Sequence, residues 1–253
     1  MSKRVNIDQL ITEIKSAATA TGFVVETYGN MHGYPLLVCS RPDNGSIKQP
    51  KQIYVSSGIH GDEPAPPAAL LQLLQDDLLP REHGTTLCPC MNPVGLAAGT
   101  RENADGIDLN RDFTNFQTLE ICSHRHWIES HVAHLDLAIH FHEDWEAVGF
   151  YLYELNFHAH VSRAASILSA AKNHVPIETA THIDGHRARD GVIRPAQTQQ
   201  RSGGFSEALY FQQRYGLLNY TLETPSDLPI EQRIAALKAG FLAAVSGLSI
   251  ISE

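Results

Sequence analysis

The stretch Ser56–Ala65, SSGIHGDEPA, follows the apolar run Ile53–Val55 and presents His60 and Glu63 where a strand gives way to a helix. An imidazole and a carboxylate in H-x-x-E spacing can converge on one metal ion, and the donor set suits zinc. A catalytic zinc takes three protein ligands and keeps a position for water. Taken alone, the pair also reads as a solvated turn histidine and a first-turn carboxylate favoured by the helix dipole.

Three further segments bear on the choice. In LAIHFHEDWE a strand would place His140 and His142 on one face, because side chains alternate with period two. Either could complete a ligand set. His142 stands nearer the strand's carboxyl end, where ligand crevices of open α/β sheets lie, and His140 is then a packed or supporting histidine. In NPVGLAAGTRENADGIDLNRDF, Asn110 and Arg111 offer a fork of donors for a carboxylate, and Arg101 is a second arginine in the same run of turn-forming residues. Glu102, Asp108 or Asp112 could instead pair with these arginines at the surface. In NYTLETPS, Glu223 ends an apolar run, where a carboxylate is costly unless paired, ligated or poised in a polar crevice. Beside an activated water it would serve as a general base; the structural alternative is a salt bridge or a helix cap.

The elements that must hold these groups are legible as alternating strands and helices. Ile7, Leu10, Ile11 and Ile14 form one stripe of an N-terminal helix. Short apolar runs at FVVETYG, PLLVCS, QIYVSSG and TLCPCMNP read as strands, and EPAPPAALLQLLQDDLLP reads as a helix whose prolines are confined to its first turn. LDLAIHFHEDWE, GFYLYEL and GLLNYTLETP add strands. HAHVSRAASILSAAKNHV and a terminal segment with Ile230, Ile234, Leu237, Phe241, Val245 and Leu248 in register add helices. The pattern predicts an α/β layer fold with a mixed sheet covered on both faces. No repeat or linker interrupts residues 1–253, so a single domain is expected.

Twenty-eight acidic against nineteen basic residues give a net charge of -9, which disfavours nucleic acid and anionic membrane surfaces as partners. No apolar window reaches the length of a membrane span and the start lacks a secretory pattern, so a cytoplasmic location is expected. Cys39, Cys88, Cys90 and Cys122 are expected as reduced thiols, and no second close pair suggests a thiolate metal site. No G-x-S-x-G elbow recommends a nucleophilic serine. The run SHRHWIESHVAH reads as a solvated helix surface.

Together HGDE, TRENADGIDLNRDF, the strand histidine and the late TLE resemble the zinc carboxypeptidase family, including its aspartoacylase-like and succinylglutamate desuccinylase-like amidohydrolase branch. The resemblance runs from about Ile53 to Glu223. It implies a three-layer α/β/α sandwich with a mixed, mainly eight-stranded sheet, and one zinc ion on His60, Glu63 and His142. It implies further that Arg101 polarises the scissile carbonyl, that Asn110 and Arg111 grip a substrate carboxylate, and that Glu223 is the general base. The implied substrate is a small peptide or an N-acyl amino acid with a free carboxylate. The leading expectation is a zinc metallopeptidase of carboxypeptidase type; the alternatives are an N-acyl amino acid deacylase and a non-catalytic metal-binding domain.

Two departures stand out. QTQQRSGGFS carries glutamines where digestive carboxypeptidases place a tyrosine, leaving Tyr210 and Tyr215 as the nearest substitutes. HED replaces the family's common HS after the strand histidine, so Glu143 and Asp144, with Asp62 and His140, are spare donors for a second metal ion. Glu207, just past SGG, could favour a cationic group on the substrate or face solvent.

Overall fold

The computed structural model describes residues 5–196 and 204–248. Asn6 caps helix α1 (Ile7–Ala20) by accepting the Gln9 N–H, and Ile7, Leu10, Ile11 and Ile14 are buried as their spacing predicts. Strands β1 (Val24–Met31) and β2 (Tyr34–Arg41) form an antiparallel pair. Strand β3 (Gln52–Ser56) leads through the HGDE loop into α2 (Ala65–Gln75), and β4 (Gly84–Cys88) leads into the short α3 (Pro93–Ala98). A 3-10 turn at Leu109–Arg111 precedes α4 (Leu119–His131), β5 (Leu137–Asp144), β6 (Tyr151–Leu155) and α5 (Ala164–Ala171). Three small strands follow, β7 (His182–Ile183), β8 (His186–Arg189) and β9 (Val192–Ile193). Helix α6 (Glu207–Tyr215), β10 (Leu218–Pro225) and α7 (Ile230–Val245) complete the described chain.

All ten strands join one mixed sheet in the order β1-β2-β4-β3-β5-β10-β6-β9-β8-β7, two strands more than the expected eight. The central strands β4, β3, β5 and β10 run parallel, so their carboxyl ends open on the same edge. The extra strands come from the turn chemistry of THIDGHRARDGVIR: the segment from Thr181 to Arg194 contains two Asp-Gly pairs. Asp184 and Gly185, and again Asp190 and Gly191, both take positive φ, the conformation of tight hairpin turns.

Strand alternation divides the sheet into two faces. Leu137, Ile139 and Phe141 of β5, with Tyr220 and Leu222 of β10, pack in one core with α1, α2, α5 and α7. Each fully buried side chain of this kind is worth about 1.5–3 kcal/mol. Tyr54 of β3 and Ala138 of β5 face the other way, into a second core with Ile121, Trp127 and Ile128 of α4 and Phe211 of α6. The result is an α/β/α sandwich. By the same alternation His140, His142 and Asp144 of β5, and Thr221 and Glu223 of β10, belong to the α4/α6 face. All four cysteines are free. Among the described residues no helix is long and apolar enough to cross a membrane.

Candidate metal centre and substrate cavity

The HGDE loop is pinned from outside. The Gly61 N–H donates to the Arg101 carbonyl at 3.3 Å, and a Cβ at Gly61 would fall 2.0 Å from the Gly95 carbonyl carbon. Glycine is therefore required between His60 and the first turn of α2, and the loop's path delivers both His60 and Glu63 to the end of β5.

There the Glu63 carboxylate meets two imidazoles. His60 Nδ1 lies 2.5 Å from Glu63 Oε1, and His142 Nδ1 lies 3.1 Å from Glu63 Oε2. One ligand atom from each of the three residues falls within 4.8 Å of the others, and all three residues are buried. Among the described residues no other group of three or more such side chains is close enough to hold a metal. His140, the other strand histidine, turns its Nδ1 to Ser56 Oγ at 2.8 Å and Glu207 Oε2 at 3.0 Å.

Asp108 ties the loop before the 3-10 turn to this centre. Its Oδ1 lies 3.2 Å from His60 Nε2 and accepts the Asn110 N–H at 2.9 Å. Its Oδ2 accepts from Arg101 Nε at 3.2 Å and Nη2 at 3.0 Å. Sequence reading had placed Asp108 only as a surface partner for an arginine; in the structure it joins Arg101 to a histidine of the triad.

The electrostatics follow from this packing. Burial would raise the Glu63 carboxyl, but His60 and His142 outweigh it and hold it below the ordinary value. Burial would lower His60, but Glu63 and Asp108 outweigh it and raise it to about 9. Burial pushes Glu223 up to about 8, with Glu63, Asp144 and Asp184 adding to the rise and His142 opposing it. A divalent cation among these groups would act against that rise.

A cavity of about 300 Å³ opens over the triad, at the small end of the range for ligand sites. Arg101, Asn110 and Arg111 reach it from the segment after α3. Glu223 reaches it from β10, where it is the register partner of His142. Toward the β7 edge the lining turns acidic and aromatic: Asp144, Glu146 and Asp184, with Tyr151, Tyr153 and Trp145. Tyr151 donates to Asp144 Oδ2 at 2.8 Å, and Tyr153 donates to Asp184. Trp145 is 73% exposed at the mouth. The sequence reading did not reach Tyr151, Tyr153 or Asp184; the Asp-Gly turn at 184 was the available signal.

Several expectations are corrected here. Glu143 does not supply a second metal: its carboxylate accepts the Ala65 N–H at 2.5 Å and pairs with Arg233 of α7, on the opposite face from His142. Glu207 neither faces solvent nor lines the cavity with its charge; it is 1% exposed and spends its carboxylate on Tyr54, Ser56 and His140. His124 is no surface histidine either, being buried against Tyr54, although His126, His131 and His134 are exposed. Tyr210 donates to Glu129 and Tyr215 to the Val132 carbonyl, so neither hydroxyl serves the cavity. The glutamines of the QTQQ stretch lie outside the described residues.

A mixed α/β sandwich with this convergence at the ends of its parallel strands is the architecture of metallocarboxypeptidase-like and desuccinylase/aspartoacylase-type hydrolases. The chain belongs to the succinylglutamate desuccinylase/aspartoacylase catalytic domain family, whose sequence model matches residues 49–236. A stretch of 97 residues is 31% identical to Carboxypeptidase SOL1 of Arabidopsis thaliana, covering 33% of this chain and only 20% of that protein. A candidate metallopeptidase from Shewanella amazonensis SB2B superposes with a TM-score of 0.81 at 25% identity, over 96% of this chain and 93% of the other. A metallo-carboxypeptidase from Pseudomonas aeruginosa, in complex with (2-guanidinoethylmercapto)succinic acid, superposes with a TM-score of 0.66. It shares 18% identity over 94% of this chain and 68% of its own, and so bears on the fold alone.

Proposed function

We propose that the protein is a zinc-dependent hydrolase of amide bonds in small substrates that carry a free carboxylate, working as a carboxypeptidase. The observation that carries this reading is the convergence of His60, Glu63 and His142 in one cavity with Arg101, Asn110, Arg111 and Glu223. Two imidazole nitrogens and a carboxylate, all buried, fit zinc better than magnesium or calcium, which prefer all-oxygen sites. These three residues would hold the ion, and Asp108 would fix the ring of His60 through Nε2. The chemistry zinc supplies when bound is activation of water near neutral pH and polarisation of a carbonyl.

The chain's own residues do the rest. Glu223 takes a proton from the attacking water at its carboxylate and returns it to the leaving amine. Arg101, oriented by Asp108, donates to the oxygen on which charge develops. Asn110 and Arg111 bind the substrate carboxylate and set the distance from it to the scissile bond. Bound substrate, filling a cavity of about 300 Å³, excludes bulk water from these groups.

A second reading, an N-acyl amino acid deacylase, draws support from the family to which the chain belongs. The acidic lining of Asp144, Glu146 and Asp184 favours the peptide reading, because an acyl group is neutral or, like succinyl, negative, whereas a peptide offers an ammonium.

Elemental analysis of the purified protein, beside His60→Ala and His142→Ala, tests the metal. About one zinc per chain, lost in both variants, is expected; no zinc after reconstitution overturns the reading. Product analysis on carboxyl-terminal peptides and N-acyl amino acids then separates peptidase from deacylase.

A further inference from the structure

Under α6 lies a polar network that the proposed reaction does not use. Glu207, on the first turn of α6, is 1% exposed, and its neighbours Tyr54, Ser56, His124 and His140 are each no more than 2% exposed. Tyr54 donates to Glu207 Oε1 at 2.6 Å and Ser56 donates to Oε2 at 2.7 Å. His140 Nδ1 lies 3.0 Å from the same Oε2. The tyrosine hydrogen is spent on Glu207, so His124 Nε2, 2.8 Å from the Tyr54 oxygen, is the donor there. Two residues of β3, one of β5 and one of α4 thus converge on one carboxylate.

A buried charge is expensive and is held only by several good hydrogen bonds, so its placement calls for a reason beyond packing. The reason lies in what the same residue does with its backbone. The Glu207 N–H donates to Asn110 Oδ1 at 2.9 Å. With its oxygen engaged, Asn110 has its NH2 group left for the cavity that it lines. Adjacent contacts fix the same seam: Phe205 N–H donates to Thr114 Oγ1 at 2.6 Å, and a Cβ at Gly204 would fall 2.1 Å from the Arg111 carbonyl oxygen. The chain before α6 therefore sits directly on the Asn110–Thr114 segment, and the Glu207 carboxylate bolts the start of α6 to the sheet beneath.

We propose that Glu207 is a positioning residue, anchored by Tyr54, Ser56 and His140 so that its backbone N–H holds Asn110 with the amide nitrogen turned to the substrate carboxylate. This rests on the carboxylate-binding role proposed above for Asn110 and Arg111. Glu207→Gln tests it, because the change removes the charge and replaces one acceptor oxygen by an NH2, so that a hydroxyl now donating to the carboxylate must give up that bond. The side chain keeps its size, so the site is not emptied.

The experiment titrates the zinc-reconstituted protein calorimetrically with succinate monohydroxamate and with butyrohydroxamate, probes of equal chain length that share a metal-binding hydroxamate, only the first of which carries a carboxylate. The wild type is expected to bind succinate monohydroxamate at least tenfold more tightly. Glu207→Gln is expected to cut that preference to threefold or less, with zinc content and butyrohydroxamate affinity unchanged. Asn110→Ala should lose the same preference, and the double variant should lose no more than either single change, as for residues acting through one contact. Full preference in Glu207→Gln, equal weakening of both probes, or a loss that adds to that of Asn110→Ala would overturn the inference. Should Glu207→Gln fail to fold, Tyr54→Phe removes one donor and keeps the charge; it should lose about threefold, and an undiminished preference in it overturns the inference as well. A wild type that does not distinguish the probes would overturn the carboxylate grip itself.

Discussion

Glu223 and His142 are register partners on the adjacent parallel strands β10 and β5, with both side chains on the α4/α6 face. Neighbouring strands stand about 4.8 Å apart, so the sheet itself, rather than a loop, fixes the spacing between the His142 imidazole and the Glu223 carboxylate. As the proposed proton acceptor, Glu223 would need no rearrangement to reach water beside His60, Glu63 and His142.

Glu223→Gln is therefore expected to keep its zinc and lose turnover by about 10²–10⁴-fold, the usual contribution of a positioned general base. Metal analysis and hydrolysis of the best substrate, run on the same preparation, check both halves. Turnover within tenfold of wild type would remove Glu223 from the role.

In the proposed reaction Arg101 would carry a different part of the barrier. Its guanidinium is fixed to Asp108 by two N–H groups and still reaches the cavity. Arg101→Ala should lower kcat by about 10²–10³-fold, roughly 2.7–4 kcal/mol for a lost oxyanion donor, with little change in zinc content. A fall confined to KM would show that Arg101 binds substrate without stabilising developing charge.

Asp108 is where the two functions meet, since one oxygen holds His60 and the other holds Arg101. Asp108→Ala is expected to weaken zinc by about 10–100-fold, as loss of a ligand's hydrogen-bond partner typically does. Competition with a chromogenic chelator measures this directly. Unchanged zinc affinity would leave Asp108 as a partner of Arg101 alone.

The convergence of His60, Glu63 and His142 was legible because each sits where a strand pattern stops: His60 and Glu63 after IYVSSG, His142 at the end of LAIHFHED. The same alternation rule already implied that Glu143 must face away from His142, and the structure puts it beside Ala65 and Arg233. Glu207 and His124 were illegible for another reason. Their burial depends on Tyr54, Ser56 and His140, which lie far away in sequence, and nothing local to EALYFQQRY or SHRHWIES records that meeting. Local patterns report which face a residue takes; they do not report what another element will lay upon it.

His124 gives the protein an acid limit. Burial, opposed in part by Glu207 and reinforced by His140, lowers His124 from 6.5 to about 4. Rings of Tyr28, Tyr54, Phe113 and Phe211 surround it. A histidine whose folded value lies below its unfolded value binds its proton more readily in the unfolded chain. Its contribution to stability is therefore complete above pH 6.5 and is lost as the pH falls toward 4. At about 1.4 kcal/mol per pH unit across that interval, the loss amounts to about 3 kcal/mol. His124→Gln keeps an N–H for Tyr54 and removes the titration. Denaturant unfolding at pH 7 and pH 4.5 should show a smaller drop in stability for the variant than for the wild type. Equal drops in the two proteins would mean that acid sensitivity arises elsewhere, and that His124 is protonated in the folded state without cost.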